Sequence, residues 1–105
     1  MNSERLDRLT DLLRQRQDDP FLHYAQLLEF IRLGRAEDAR SALDTLLQRH
    51  PDYLGTYYTG ARFLEAQEQP EAAADLYRKG LTLARRLGEH KTAGELQAAL
   101  DLLEP

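Results

Sequence analysis

Leucine, alanine and aromatic residues recur along this chain at helical spacing, and a series of breakers cuts it into six helical segments. Leu6, Leu9, Leu12 and Leu13 form one apolar stripe and predict a first helix from about Ser3 to Gln17, with Ser3 as its N-cap. Asp18-Asp19-Pro20 breaks and restarts the chain, with Asp19 as cap and Pro20 at the first helical position. The second helix then covers about Pro20 to Leu33, closed by Gly34 in a left-handed conformation. The third runs from about Ala36 to Arg49 on the stripe Ala39, Ala42, Leu43, Leu46 and Leu47, and His50-Pro51 ends it. The fourth is expected over Tyr53 to Gln67. The fifth spans Pro70 to Leu87, with Gln69 a mediocre cap and Gly88 past its end. The sixth covers His90 to Leu103, with Leu96, Ala99, Leu100 and Leu103 on one face. Valine is absent and isoleucine occurs once, at Ile31, which disfavours strands. The short connections predict antiparallel neighbours.

The pattern repeats itself. Ala39 and Ala73 lie 34 residues apart, and Tyr24 and Tyr58, Leu43 and Tyr77, and Leu47 and Leu81 share that offset. Such a period in a helical chain points to stacked helix hairpins. Carried backward, it sets Leu43, Leu46 and Leu47 on Leu9, Leu12 and Leu13, so the first helix reads as the second half of a repeat. An offset of 35 sets Leu96 on Ala61 and Ala99 on Leu64, so the sixth reads as a first half. A single domain over 1–105 is therefore expected: a half repeat or capping helix at 1–18, full repeats at 20–53 and 54–87, and a half repeat at 88–105.

These residues resemble the tetratricopeptide repeat. The first full repeat matches its pattern at Phe30, Gly34, Ala39 and Pro51, with Leu43 and Leu46 as apolar substitutes, and departs at His23 and Gln26. The second matches at Tyr57, Ala61, Ala73 and Tyr77, with Leu64 and Gly80 acceptable, and departs at Glu68, where glycine is usual, and at Arg85, where proline is. The phrases His-Pro-Asp-Tyr-Leu-Gly-Thr-Tyr-Tyr and Lys-Gly-Leu-Thr-Leu-Ala-Arg-Arg-Leu-Gly also look like small bacterial proteins built of little but this repeat. The resemblance implies an all-α fold, a right-handed superhelical array of antiparallel helix hairpins with about six helices. It also implies small residues at Ala39 and Ala73 where two helices cross closely, and bulky Phe30 and Tyr77 filling gaps between hairpins.

In this repeat the first helices of successive hairpins line a concave groove. The resemblance thereby nominates Tyr24, Leu28, Ile31 and Arg32 from the second helix and Tyr58, Thr59, Arg62 and Glu65 from the fourth, with Ala93 and Gln97 from the sixth. Of these, Tyr24, Leu28, Arg32, Tyr58, Thr59 and Arg62 are the expected partner-binding set. Tyrosine and arginine are enriched in binding hot spots. The competing reading is that Tyr24 and Tyr58 pack between hairpins. A carboxylate clamp for acidic C-termini would need a Lys and two Asn where this chain has Tyr24, Leu28 and Thr59, so that partner class is not expected.

Composition narrows the chemistry. With a formal net charge of -4 the chain is a poor general binder of nucleic acid. It has no cysteine, which removes disulfides, thiolate nucleophiles and Cys-based zinc sites. No apolar run has the length of a signal peptide or a membrane span, so a cytoplasmic location is expected. The histidines at 23, 50 and 90 lack the spacing of a helical metal site. His23 reads as a packing residue, His50 as a favourable helix end and His90 as exposed. Asp18-Asp19 and Glu37-Asp38 read as helix-start charges, and Arg78, Lys79, Arg85, Arg86 and Lys91 as a solvated basic face. No catalytic constellation, cofactor or metal site is expected. The leading expectation is a non-catalytic protein–protein interaction module that holds a peptide or helix in its groove. The alternatives are self-association into a homo-oligomer through the terminal stripes and, behind it, helical-repeat RNA binding.

Overall fold

A computed structural model of the chain describes residues 3–105. The first two residues of the expected 1–18 half repeat, Met1 and Asn2, lie outside the described residues. Within the described residues the chain is all-α, with six helices: α1 (Glu4–Gln15), α2 (Pro20–Arg32), α3 (Ala36–Arg49), α4 (Gly55–Ala66), α5 (Pro70–Leu87) and α6 (His90–Leu103). The expected bounds of α3, α5 and α6 agree with those observed. The start of α4 does not: it begins at Gly55 rather than Tyr53, because the Tyr53 N–H donates to the His50 carbonyl (3.0 Å) in the turn that Pro51 opens. α1 stops at Gln15, two residues early.

The chain divides into two compact units, Met1–Tyr53 and Leu54–Pro105. In the first, α1 packs on α2 and α2 on α3; in the second, α4 packs on α5 and α5 on α6. The core of the first unit includes Leu9, Leu22 and Ala25, with Leu12 and Leu13 half-buried against them. Leu27, Ala39, Leu43 and Leu46 are also buried. Full burial of one leucine contributes roughly 1.5–3 kcal/mol, so the period-matched stripe carries much of the stability. In the second unit Ala61, Ala73, Tyr77, Ala84 and Leu96 are completely buried.

Capping side chains start the first two helices. Ser3 Oγ accepts from the Leu6 N–H at 3.1 Å, and Asp19 Oδ1 accepts from the Phe21 N–H at 3.0 Å. Helix ends follow one rule three times. Arg35 N–H reaches the Phe30 carbonyl (2.9 Å), Glu89 N–H that of Ala84 (2.8 Å), and Gln69 N–H that of Leu64 (2.9 Å). Each is the long bond of a Schellman turn, which needs a left-handed residue just before the donor. Gly34 and Gly88 supply it at φ 72°; at the end of α4 the residue is Glu68, at φ 59°. This is the position where the repeat pattern asks for glycine. A left-handed non-glycine residue is strained by roughly 1–2 kcal/mol, and the greater freedom of glycine in the unfolded chain opposes about 0.4–1 kcal/mol of that. Glu68→Gly is therefore expected to raise stability, by up to about 1 kcal/mol, read as a later urea midpoint with unchanged slope; an earlier midpoint would contradict this.

Candidate functional site

Tyr58 and Arg62 stand four residues apart on one face of α4, and the pair is engaged. Arg62 Nη1 donates to the Tyr58 hydroxyl at 3.4 Å, and the guanidinium carbon lies 5.9 Å from that ring's centre. The hydroxyl bond helps hold Arg62 in its charged form. Beside them the Tyr58 ring meets Tyr77 of α5 edge to face, with centres 6.1 Å apart and planes at 66°. The Tyr77 hydroxyl donates to Glu65 Oε2, one helical turn beyond Arg62. Burial, then this carboxylate, pushes the Tyr77 phenol above the usual tyrosine range. Opposite, α6 presents Glu95, Ala98, Ala99 and Leu102 at helical spacing on one face. Together these residues line a cleft of about 510 Å³ wholly within the second unit. That volume suits a few side chains of a partner. The surface offers aromatic faces, a guanidinium, two carboxylates and an apolar patch.

The other expected site residues fall elsewhere. Thr59, next to Tyr58, is half-buried and lies outside the cleft lining. Gln97 also lies outside the lining, donating to Asp101 Oδ1 at 2.9 Å and accepting from Arg85 at 3.5 Å. Tyr24 belongs to the first unit and is half-buried, with its ring centre 5.3 Å from that of Tyr53. Burial pushes the Tyr53 phenol upward. Leu28 is 40% exposed and Ile31 half-buried. Arg32 grips Glu29 with two donors, Nε to Oε1 at 2.5 Å and Nη2 to Oε2 at 2.9 Å.

Glu29 is the residue that sequence reasoning missed. It is 3% exposed, and Ser3 Oγ, besides capping α1, donates to its Oε2 at 2.7 Å, tying α1 to α2. The bond spans 26 residues, and no local pattern marks it. The Arg32 and Ser3 bonds together hold the Glu29 carboxyl at about 2, well under its ordinary 4.5, against the opposing effect of burial. A depressed folded-state pKa means the unfolded chain binds the proton more readily. The stability from Glu29 is thus full above pH 4.5 and is lost as pH falls toward about 2. Denaturant unfolding across that window should show wild type losing stability on acidification faster than Glu29→Gln; parallel curves would contradict the assignment.

The two histidines of the first unit also meet. His23 and His50, remote in sequence, have ring centres 6.1 Å apart, and His23 Nε2 donates to the Gln17 carbonyl at 2.6 Å. Among the described residues no group of three or more His, Cys, Asp or Glu side chains is gathered as a metal ion would require. The basic residues of α5 are partly paired: Arg78 binds Asp75 at 3.0 Å and also Glu104 of the C-terminal stretch.

Comparison with known proteins gives a uniform answer for the fold. No family model matches the chain, and no curated protein does. Solved structures do. The chain is similar to a tetratricopeptide repeat domain protein from Salinibacter ruber solved by solution NMR, with 35% identity, 82% of this chain and 87% of that chain covered, and a TM-score of 0.79. A crystal structure of the same description and organism matches at 35% identity, 82% and 97% coverage and a TM-score of 0.77. A protein from Bordetella parapertussis, at 23% identity, shares the fold over 98% of this chain and 89% of its own, with a TM-score of 0.81.

Proposed function

This chain belongs to the tetratricopeptide repeat family, and we propose that it works as a non-catalytic protein-interaction module that holds a peptide or helix of a partner. The observation that supports this reading is the cleft of α4, α5 and α6, where Tyr58 and Arg62 stand beside Glu65 and Tyr77 and face Leu102. Aromatic and arginine side chains around a small apolar patch are the usual anchors of a protein interface. Thr59, next to Tyr58 but outside the cleft lining, is proposed as a flanking contact position. Tyr24, Leu28 and Arg32 on α2 are proposed as contact positions of the first unit, to be tested separately. Residues 20–53 and 54–87 are proposed as full repeats, with 1–18 and 88–105 as half repeats. Among the described residues no helix is long and apolar enough to cross a membrane; residence in the cytoplasm is part of the same proposal.

A plug tests the cleft. Ala98 lines it from an exposed position, so Ala98→Trp fills the cleft without entering the core. The variant is expected to lose partners that the wild-type chain captures from lysate while keeping its far-ultraviolet helicity. Tyr58→Ala, which strips one aromatic wall, should weaken capture as well. Unchanged capture by both variants would contradict the assignment. Self-association is a second reading, favoured by Leu102 at 86% and Phe21 at 62% exposure; light scattering at rising concentration separates it from a strict monomer.

A further inference from the structure

The cleft of the second unit is unbalanced in charge. Its lining carries two carboxylates, Glu65 and Glu95, against one guanidinium, Arg62. Arg62 is already turned onto Tyr58, donating to its hydroxyl and covering its ring. Glu65 has committed Oε2 to Tyr77, which leaves Oε1 as the acceptor offered to an incoming donor. Glu95 is exposed on the facing wall. The same wall carries Ala98, also exposed, and Leu102, which keeps 86% of its surface in solvent. Glu95 and Leu102 are seven residues apart on α6. At about 1.5 Å per residue this is roughly 10 Å, the reach of about three residues of extended chain. One wall therefore pairs an acid with an unusually exposed leucine, and the opposite wall adds a second acid among tyrosine rings.

We infer that the occupant of this cleft is a basic peptide segment, with a Lys or Arg side chain between Glu65 and Glu95 and an apolar side chain covering Ala98 and Leu102. The inference rests on the cleft being the partner site. The two carboxylates favour such a cation, since hydrogen bonds between ionised groups are the strong ones. An acidic segment meets the net negative charge of the same lining and is opposed. Because Glu95 is exposed and Glu65 half-exposed, salt screens the attraction.

Selection of short random peptides displayed against the whole chain, run in parallel against Ala98→Trp, tests this. Peptides recovered on wild type and not on Ala98→Trp should be enriched in Lys or Arg near an apolar residue relative to the input library. A synthetic copy of the most enriched peptide should bind Glu95→Lys at least about tenfold more weakly, bind Glu95→Gln with an intermediate loss, and weaken as salt is raised. Both Glu95 substitutions are at an exposed position, and circular dichroism checks their helicity. Recovery of acidic or uncharged peptides that bind Glu95→Lys as tightly as wild type would overturn the basic occupant while leaving the cleft as a binding site. Equal recovery on wild type and Ala98→Trp, or none on either, would overturn the cleft and the inference with it.

Discussion

Tyr77→Ala is expected to lower the stability of the chain by roughly 3–5 kcal/mol, the range for emptying a fully buried aromatic position. Tyr77 has no exposed surface, its ring meets Tyr58 edge to face, and its hydroxyl donates to Glu65. Truncation removes the ring's dispersion contacts and leaves a cavity that the rigid backbones of a hairpin close only in part. Tyr77→Phe separates ring from hydroxyl. It keeps the packing and deletes one hydrogen bond whose acceptor is half-exposed and can turn to water, so its cost should be only about 0.5–1.5 kcal/mol. Urea unfolding of the two variants reads both numbers. A Tyr77→Ala cost under about 1 kcal/mol would mean that the ring does not fill the core of this unit.

Two glycine-to-alanine changes in helix interiors should move stability in opposite directions. A methyl group at Gly80 of α5 would stand 2.5 Å from Tyr57 Cβ, 3.1 Å from Tyr57 Cγ and 3.3 Å from Leu96 Cδ1. Tyr57 Cβ is fixed to the α4 backbone, so relief requires the helices themselves to separate. Overpacking of this kind costs about 1–3 kcal/mol, against a gain of about 1 kcal/mol from replacing glycine in a helix. The steric effect wins, and Gly80→Ala should lose up to about 2 kcal/mol, or some 4–8 °C in thermal midpoint per kcal/mol for a domain of about 100 residues. At Gly94 of α6 an added methyl meets nothing within 4 Å. Only the propensity effect remains there, and Gly94→Ala should gain about 0.5–1 kcal/mol. Two shifts of the same sign would contradict the close crossing of α4 and α5 at Gly80.

The contrast shows what sequence conveys about this fold. Helix ends were legible because they are local: Pro20 and Pro70 at first positions, Gly34 and Gly88 at φ 72°, and Ser3 and Asp19 as caps all act within a few residues. The small positions Ala39 and Ala73 were legible from the period, and both are fully buried. Glu68 was legible only as a departure from the repeat pattern, and the structure adds the reason glycine is usual there, a left-handed helix end at φ 59°. Contacts across helices were not legible. Nothing in the string brings Ser3 to Glu29 or His23 to His50, because each contact depends on how one helix is rotated against another. The same cause explains α6. Its apolar face was legible through Leu96, which is buried, but the cleft is lined by Glu95, Ala98, Ala99 and Leu102 rather than by Ala93 and Gln97. The offset of 34 had to be changed to 35 to align that helix, so its rotation was set only by its packing on α5.

The lining of the candidate site was legible in part for a related reason. Tyr58, Arg62 and Glu65 follow from the repeat position of α4 alone, and the structure gathers all three in one cleft. What it adds is their chemistry: Arg62 occupied by a tyrosine, Glu65 shared with Tyr77, and a second acid supplied by α6. On the proposed reading, that chemistry gives the cleft a preferred partner charge. Amide chemical shifts of the isotope-labelled chain, followed during titration with a peptide recovered by selection, test the central claim most directly. The account predicts saturable shifts concentrated at Tyr58, Arg62, Glu65, Tyr77, Glu95 and Leu102. Shifts concentrated on α1 to α3, with these six residues unmoved, would contradict it.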